Sequence, residues 1–210
     1  MSRGRLALAT ANRGKVREIA LALSGLDLDI LTRDDFRAWP PLEESGETFE
    51  ENASCKALEL ARWSGIPALA DDSGLEVEAL GGAPGVYSAL YAGTHGDDAA
   101  NLARLMREME GVPAGKRGAR FVCVLALASP GGDTLLVRET CEGTIAEEPR
   151  GERGFGYDPV FVPAGMGRTM AELTLEEKNA VSHRGRALRR LRSLLEAGEP
   201  AWLFGPLGRG

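Results

Sequence analysis

No stretch of this 210-residue chain is long and apolar enough to cross a membrane, and the N-terminus lacks the apolar core of a secretory leader. A cytoplasmic location is the expectation. Cysteine is scarce: Cys55, Cys123 and Cys141 are odd in number, widely spaced and form no CxxC pair. That argues against a disulfide framework or a zinc site and for buried thiols in a reducing compartment. An excess of positive charge is missing as well. Lys and Arg total 25 against 31 Asp and Glu, a formal net charge of -6. A general nucleic-acid binder is therefore not expected, because phosphate backbones need a basic surface. A single nucleotide stays open, since one triphosphate needs only a few local cations. Internal repeats and low-complexity tracts are also absent. With 43% hydrophobic and 27% charged residues, the chain is expected to bury a real core, as one large domain or two small lobes.

What is there centres on Ala68-Leu69-Ala70-Asp71-Asp72-Ser73-Gly74-Leu75. An apolar run gives way to two adjacent carboxylates, a hydroxyl and a glycine. Alternation along a strand sends neighbouring side chains to opposite sides, whereas a bend at a strand end lets both reach one cleft. Two adjacent carboxylates repel, so solvent, a cation or a lysine must offset them. The segment reads either as a solvated turn capping a strand or as a functional acidic centre.

Upstream, an apolar strand over Arg5–Thr10 runs into Thr10-Ala11-Asn12-Arg13-Gly14-Lys15, and Val16, Ile19, Ala20 and Leu23 then follow helical spacing. A strand, a polar turn and a helix start favour an anion, and Lys15 adds a point charge. The segment is no P-loop, which needs Gly where Ala9 sits and Ser or Thr where Val16 sits. It reads equally as a helix capped by Thr10 or Asn12. A half-exposed strand at Leu26, Leu28 and Ile30 precedes an extended Pro40-Pro41 segment, with Glu43 and Glu44 in a loop that is either solvated or a metal ligand. Thr48 and Glu51 form a capping box. Lys56 and Asn52 lie on or beside the apolar face of Phe49, Ala53, Ala57 and Leu60. Lys56 must either snorkel to the surface or meet a buried anion such as a phosphate or the Asp71/Asp72 pair. Gly65 closes that helix.

Leu75 to Leu80 reads as a strand or a helical turn, and a helix starts near Asp97. Arg120–Ala128 and Thr134–Cys141 read as a β-hairpin, with a further strand near Thr144-Ile145. Phe155-Gly156-Tyr157-Asp158-Pro159 is too rich in glycine for a regular element. Its Phe155 ring either stacks on a flat base or anchors the loop in the core. Asp158 either accepts from a base N–H or stabilises the Asp-Pro turn. Thr174 and Glu177 form another capping box, near Lys178. Ser182 caps the last helix and puts His183 and Arg184 in its first turn, where positive charge opposes the helix dipole. These two are candidate donors to a carbonyl or phosphate oxygen.

In order and spacing, Thr10–Lys15, Ala70–Leu75, Gly81-Gly82-Ala83-Pro84-Gly85, Phe155–Pro159 and Ser182-His183-Arg184 resemble the inosine/xanthosine triphosphate pyrophosphatase family, house-cleaning enzymes for deaminated purine nucleotides. The likeness runs from Leu6 to Leu195. It implies an α/β, two-lobed ITPase-like fold, with a long mixed β-sheet flanked by helices and an active-site cleft between the lobes. Residues 1–197 would form the single two-lobed domain and 198–210 a Pro/Gly-rich tail. The resemblance further implies cleavage of a purine nucleoside triphosphate to the monophosphate and pyrophosphate, Mg²⁺ as cofactor, and a homodimer.

By the same resemblance Thr10, Ala11, Asn12, Arg13, Gly14, Lys15 and Lys56 hold the triphosphate. Glu44 and Asp72 carry Mg²⁺, and Asp72 is the general base. Ser73 contacts substrate, Phe155 stacks on the base beside Gly156, Tyr157 and Asp158, and Lys178, His183 and Arg184 read the base edge. Hypoxanthine and xanthine carry a 6-oxygen where adenine carries an amino group, so donors there accept the former and reject adenine. One departure is Ser88-Ala89-Leu90-Tyr91, where the family usually has Ser-Ala-Arg-Tyr; a cation near the expected cleft or dimer contact is lost. Two other readings remain: a related pyrophosphatase for modified pyrimidine or 7-methylated nucleotides, and a nucleotide-binding module without turnover.

Overall fold

The computed structural model describes residues 4–42 and 44–204, with Phe204 described by its backbone alone. Glu43 of the acidic loop and residues 205–210 of the predicted tail lie outside the described residues. The chain runs β1 (Gly4–Leu8), α1 (Arg13–Ala22), β2 (Leu28–Leu31), α2 (Phe49–Ser64), β3 (Ala68–Val77), α3 (Asp98–Glu108), β4 (Gly118–Ala128), β5 (Thr134–Ile145), β6 (Phe161–Pro163), α4 (Leu175–Val181), α5 (His183–Glu196) and α6 (Ala201–Phe204). No described helix is long and apolar enough to cross a membrane.

The helix starts follow the polar residues before them. Asn12, not Thr10, caps α1 by accepting from the amides of Gly14 and Lys15 at 2.9 and 3.1 Å. The Thr48/Glu51 capping box opens α2, and Gly65, at φ 67°, ends it in a conformation that a side chain would strain. The Thr174/Glu177 box opens α4 as expected.

The acidic segment departs from its sequence reading. The strand does not end at Asp71; β3 continues through Asp71, Asp72, Ser73 and Gly74 to Val77. Buried carboxylates persist inside a strand only with cations at hand, and two lysines supply them. Leu75–Leu80 divides between the end of β3 and a single 3-10 turn at Glu78–Leu80. The two strands expected from 134 to 145 are one, β5. The short β6, unforeseen, pairs antiparallel with its end, Ile145 opposite Phe161.

The six strands form one mixed sheet in the order β2-β1-β3-β4-β5-β6, with β1 parallel to both β2 and β3. The chain divides into two compact units. One comprises the chain up to Asp72, Val124–Arg138 and the chain from Ala187. It buries Leu6 and Leu8 of β1, Ile19 of α1, Leu60 of α2 and Leu69 of β3. The other unit comprises Ser73–Cys123 and Glu139–Arg186. Leu75, Leu105, Met109, Phe121, Phe161 and Leu173 are central to its core. Arg117, buried there, donates to the carbonyls of Ile145, Ala146, Met109 and Val112, which ties the ends of α3 and β5 to the start of β4. None of the three cysteines is in a disulfide, but only Cys123 and Cys141 are buried; Cys55 is exposed on α2, against the expectation.

Between α4 and α5 the turn is tight. Ser182 donates its amide to Lys178 O and accepts from Gly185 N at 3.1 Å. A Cβ on Gly185 would lie 1.9 Å from Asn179 O, so the two helices meet here only because the side chain is a hydrogen. Gly185→Ala is expected to cost about 3 kcal/mol through this overlap, read as a lower urea midpoint with an unchanged m-value. An unmoved midpoint would mean that the α5 start yields freely.

Candidate active site

In the first unit, Lys56 on α2 is 4% exposed, and its ammonium reaches Glu44 Oε1 at 2.7 Å and Asp72 Oδ1 at 2.6 Å. Lys15, in the first turn of α1, reaches Asp71 Oδ1 at 2.6 Å. Both lysines also donate to the backbone carbonyl of Asp71, at 3.1 and 3.4 Å. Two ammonium groups thus converge on one oxygen. Like charges that close need anions between and around them, which three carboxylates here provide.

Local structure explains how each group arrives. Lys56 follows Asn52 by one helical turn, and both are buried. Asn52 Oδ1 accepts from Gly46 N at 2.8 Å, which pins the loop just after Glu44 onto α2. Asp71 and Asp72 are 1% and 7% exposed on β3. At the turn after β1, Ala11, Asn12 and Arg13 are exposed, and Thr10 and Gly14 half-buried. Thr10 Oγ1 accepts from Asn12 N. Two of the free amides of the α1 start are therefore taken by Asn12, and Arg13 and Lys15 are the cationic side chains there.

Burial is the strongest influence on both members of the central pair. On Lys56 it opposes the charge, but Asp72 and Glu44 outweigh it, and the lysine is held above its ordinary value. On Asp72 it pushes the carboxyl above the usual range; Lys56 and Lys15 pull back without cancelling it, and Glu44 adds to the rise. Lys56 and Asp72 thus each hold a proton more tightly than they would in water. Among the described residues no set of three or more His, Cys, Asp or Glu gathers for a metal. Two carboxylates sharing one cation at 2.6–2.7 Å are nonetheless the donor set that suits Mg²⁺, a hard cation bound by one or two carboxylates with water and substrate phosphate completing its shell.

In the second unit another buried pair forms: Lys178 Nζ lies 2.7 Å from Asp158 Oδ2, with both side chains about as buried as Lys56. The same Asp158 oxygen accepts from Phe155 N at 2.9 Å. Asp158 therefore holds its own turn together. Above the half-buried Phe155 ring stand Lys178, 4.6 Å from the centroid, and Arg184, 5.4 Å away. Arg184 also lies 3.4 Å from Ser73 Oγ. The structure thus gathers Ser73, Phe155, Asp158, Lys178 and Arg184. His183 stacks on Phe121 with centroids 4.5 Å apart. Tyr157 is buried, its hydroxyl donating to Ser88 O at 2.9 Å, and the amide of Gly156 donates to Asp98 Oδ2 at 2.8 Å. Asp98 escaped the sequence reading, and Ser88 entered it only as part of the Ser88–Tyr91 segment. The only trace of Asp98 was its spacing of three from Asn101 at a helix start, where two polar residues share a face. Leu90 is exposed at the end of a 3-10 segment with the exposed Tyr87.

A family model described as the Ham1 family matches residues 6–194. A dITP/XTP pyrophosphatase of Geobacter sulfurreducens is 54% identical over 191 residues, which is 91% of this chain and 96% of that protein. One of Geobacillus kaustophilus is 53% identical over 186 residues, 89% and 91% of the two chains. Among solved structures, a HAM1 protein from Coxiella burnetii superposes with a TM-score of 0.84 at 42% identity, covering 92% of this chain and 98% of that one. The Staphylococcus aureus Ham1 protein gives 0.83 at 37%, covering 93% and 100%.

Tyr157 and Tyr91 brace the second unit, and burial raises both phenols, Tyr91 to about 12 with help from its hydrogen bond to Glu108. Folding therefore favours the protonated phenols. Their contribution to stability is full below pH 10 and is lost as pH rises through 12 for Tyr91. Spectrophotometric titration is expected to show these two rings ionising late and together with unfolding. Early, reversible ionisation of all the tyrosines would contradict the bracing role.

Proposed function

The chain belongs to the Ham1 family, and on that premise we propose that it hydrolyses the non-standard purine nucleoside triphosphates ITP, dITP and XTP to the monophosphate and pyrophosphate, in the cytoplasm and as a homodimer, clearing them before they enter DNA or RNA. The observation that carries the reading is the convergence of Lys15 and Lys56 on the Asp71 carbonyl, ringed by Glu44, Asp71 and Asp72. Such a cluster suits a polyphosphate, whose oxygens replace carboxylates around the ammonium groups.

Glu44 and Asp72 would hold Mg²⁺, which when bound supplies further charge neutralisation for the phosphates. Lys15 and Lys56 orient the triphosphate, with the Thr10–Gly14 turn beside it. Asp72 takes a proton from the attacking water. The water oxygen bonds to the α-phosphorus as the bond from that phosphorus to the α,β-bridging oxygen breaks, and pyrophosphate leaves carrying that oxygen. Phe155 stacks on the base, with Ser73, Gly156, Tyr157 and Asp158 forming the surrounding loop and strand. Lys178, His183 and Arg184 are the donors for the 6-oxygen; with adenine, buried donors are left unpaired, which disfavours ATP.

A panel of ITP, dITP, XTP, GTP and ATP, assayed for pyrophosphate with and without Mg²⁺, tests this. Release is expected from the first three only with Mg²⁺, with little from ATP. Asp72→Asn is expected to lower kcat by about 10²–10⁴-fold with an unchanged circular dichroism spectrum. Full turnover in that variant removes Asp72 from the chemistry, and preference for a modified pyrimidine triphosphate overturns the substrate assignment.

A further inference from the structure

The loop that carries Phe155 has no regular structure to hold it, so its position depends on individual bonds. From within, Asp158 takes Phe155 N, and Asp158 N returns to Phe155 O at 3.2 Å. From outside, Lys178 and the amide of Ala171 hold the Asp158 end, and two further bonds hold Gly156 and Tyr157 beside the ring. Tyr157 OH donates to Ser88 O, and Gly156 N donates to the Asp98 carboxylate at 2.8 Å. Asp98 is the first residue of α3, after the Asp97 cap. One turn on, the buried Asn101 accepts from Ala92 N at 2.7 Å and donates to Ala89 O at 3.1 Å. Asp98 and Asn101 share a helix face. Through them α3 holds both the base-side loop and the 3-10 segment whose Ser88 receives Tyr157. Gly156, at φ 61°, has open space where a Cβ would be, so no packing of its own fixes it.

We propose that Asp98 is a positioning residue for base recognition: by holding Gly156 N it fixes the loop that presents Phe155 to the purine, and so sets affinity and selectivity for the base without touching the reacting phosphates. The inference rests on the pyrophosphatase reading. A charged acceptor gives a strong hydrogen bond. Without it the ring is presented only part of the time, and the apparent affinity falls in proportion to the competent fraction.

The test compares wild type, Asp98→Ala and Asp98→Asn. Asp98→Ala is expected to raise KM for ITP roughly tenfold with kcat nearly unchanged, and to narrow the preference for ITP over ATP. Hydrogen exchange in segment 153–158 is expected to quicken. Inorganic tripolyphosphate, which has no base, is expected to inhibit all three proteins equally. Asp98→Asn keeps an acceptor oxygen and loses the charge, so it is expected to recover most of the affinity and exchange protection. Were Asp98 only a partner of the α3 dipole, Asn would behave as Ala does. Unchanged KM and selectivity in Asp98→Ala would overturn the proposal, as would a parallel loss of tripolyphosphate binding or a failure of Asn to rescue. A wild-type protein inactive on every purine triphosphate would instead overturn the pyrophosphatase reading, and exchange in segment 153–158 would then decide by itself whether Asp98 holds the loop.

Discussion

An ammonium group that is almost wholly buried stays charged only if anions follow it into the interior. Lys56 meets that constraint with Glu44, from a loop ahead of its own helix, and Asp72, from the next strand. Much of the first unit serves this meeting. The Thr48/Glu51 box sets where α2 begins and so where Lys56 falls on it. Asn52 then holds Gly46, and with it the loop bearing Glu44. β3 carries its two carboxylates through a buried strand instead of shedding them at a turn. Taking away one partner leaves an opposite charge stranded in low dielectric, which costs more than the pair contributes. That asymmetry makes the arrangement specific: other registers of β3 or α2 would bury a charge alone.

The same device recurs in the second unit with a different emphasis. Lys178 and Asp158 form a buried pair, but Asp158 also closes the turn that carries Phe155, and Lys178 stands over the ring. Charge here fixes an aromatic ring and gives it cationic neighbours. The ring faces guanidinium and ammonium groups that also donate hydrogen bonds, a surface suited to a flat, oxygen-bearing partner. The chain has only three tyrosines, and Tyr91 and Tyr157 act as struts, each with its hydroxyl bonded inside the unit.

The legible parts of this site were those whose signal is local. A capping box is four consecutive residues, and the boxes at Thr48 and Thr174 open helices as their spacing predicts. Lys56 on an apolar stripe posed a local contradiction, and its resolution by a buried anion was among the answers visible in advance. The mixed sheet and the family follow from motifs in order. What stayed hidden depends on partners distant in sequence. An acidic pair looks like a strand end until lysines from two different helices neutralise it, so β3 was read short. Phe161-Val162-Pro163 is too brief and too close to a proline to announce a strand; pairing with Gly143–Ile145 makes it one. Asp98 carries no motif at all, because its partner is a backbone amide, and any residue but proline supplies one.

Asp71 and Asp72 are adjacent in sequence, and their lysines distinguish them. Each carboxylate has its own: Asp71 binds Lys15, and Asp72 binds Lys56. The charges that act most on Asp72 are those of Lys56, Lys15 and Glu44, after burial itself. Asp71 bears on the same cluster by holding the Lys15 ammonium at the shared carbonyl. Lys15 is also the more accessible of the two lysines, at 17% against 6% for its side chain. On the proposed function an arriving polyanion would meet Lys15 first, with Asp71, buried beneath, holding the lysine in place. The pair that looks redundant in sequence is divided in structure, with one carboxylate anchoring the outer cation and the other sharing the inner one.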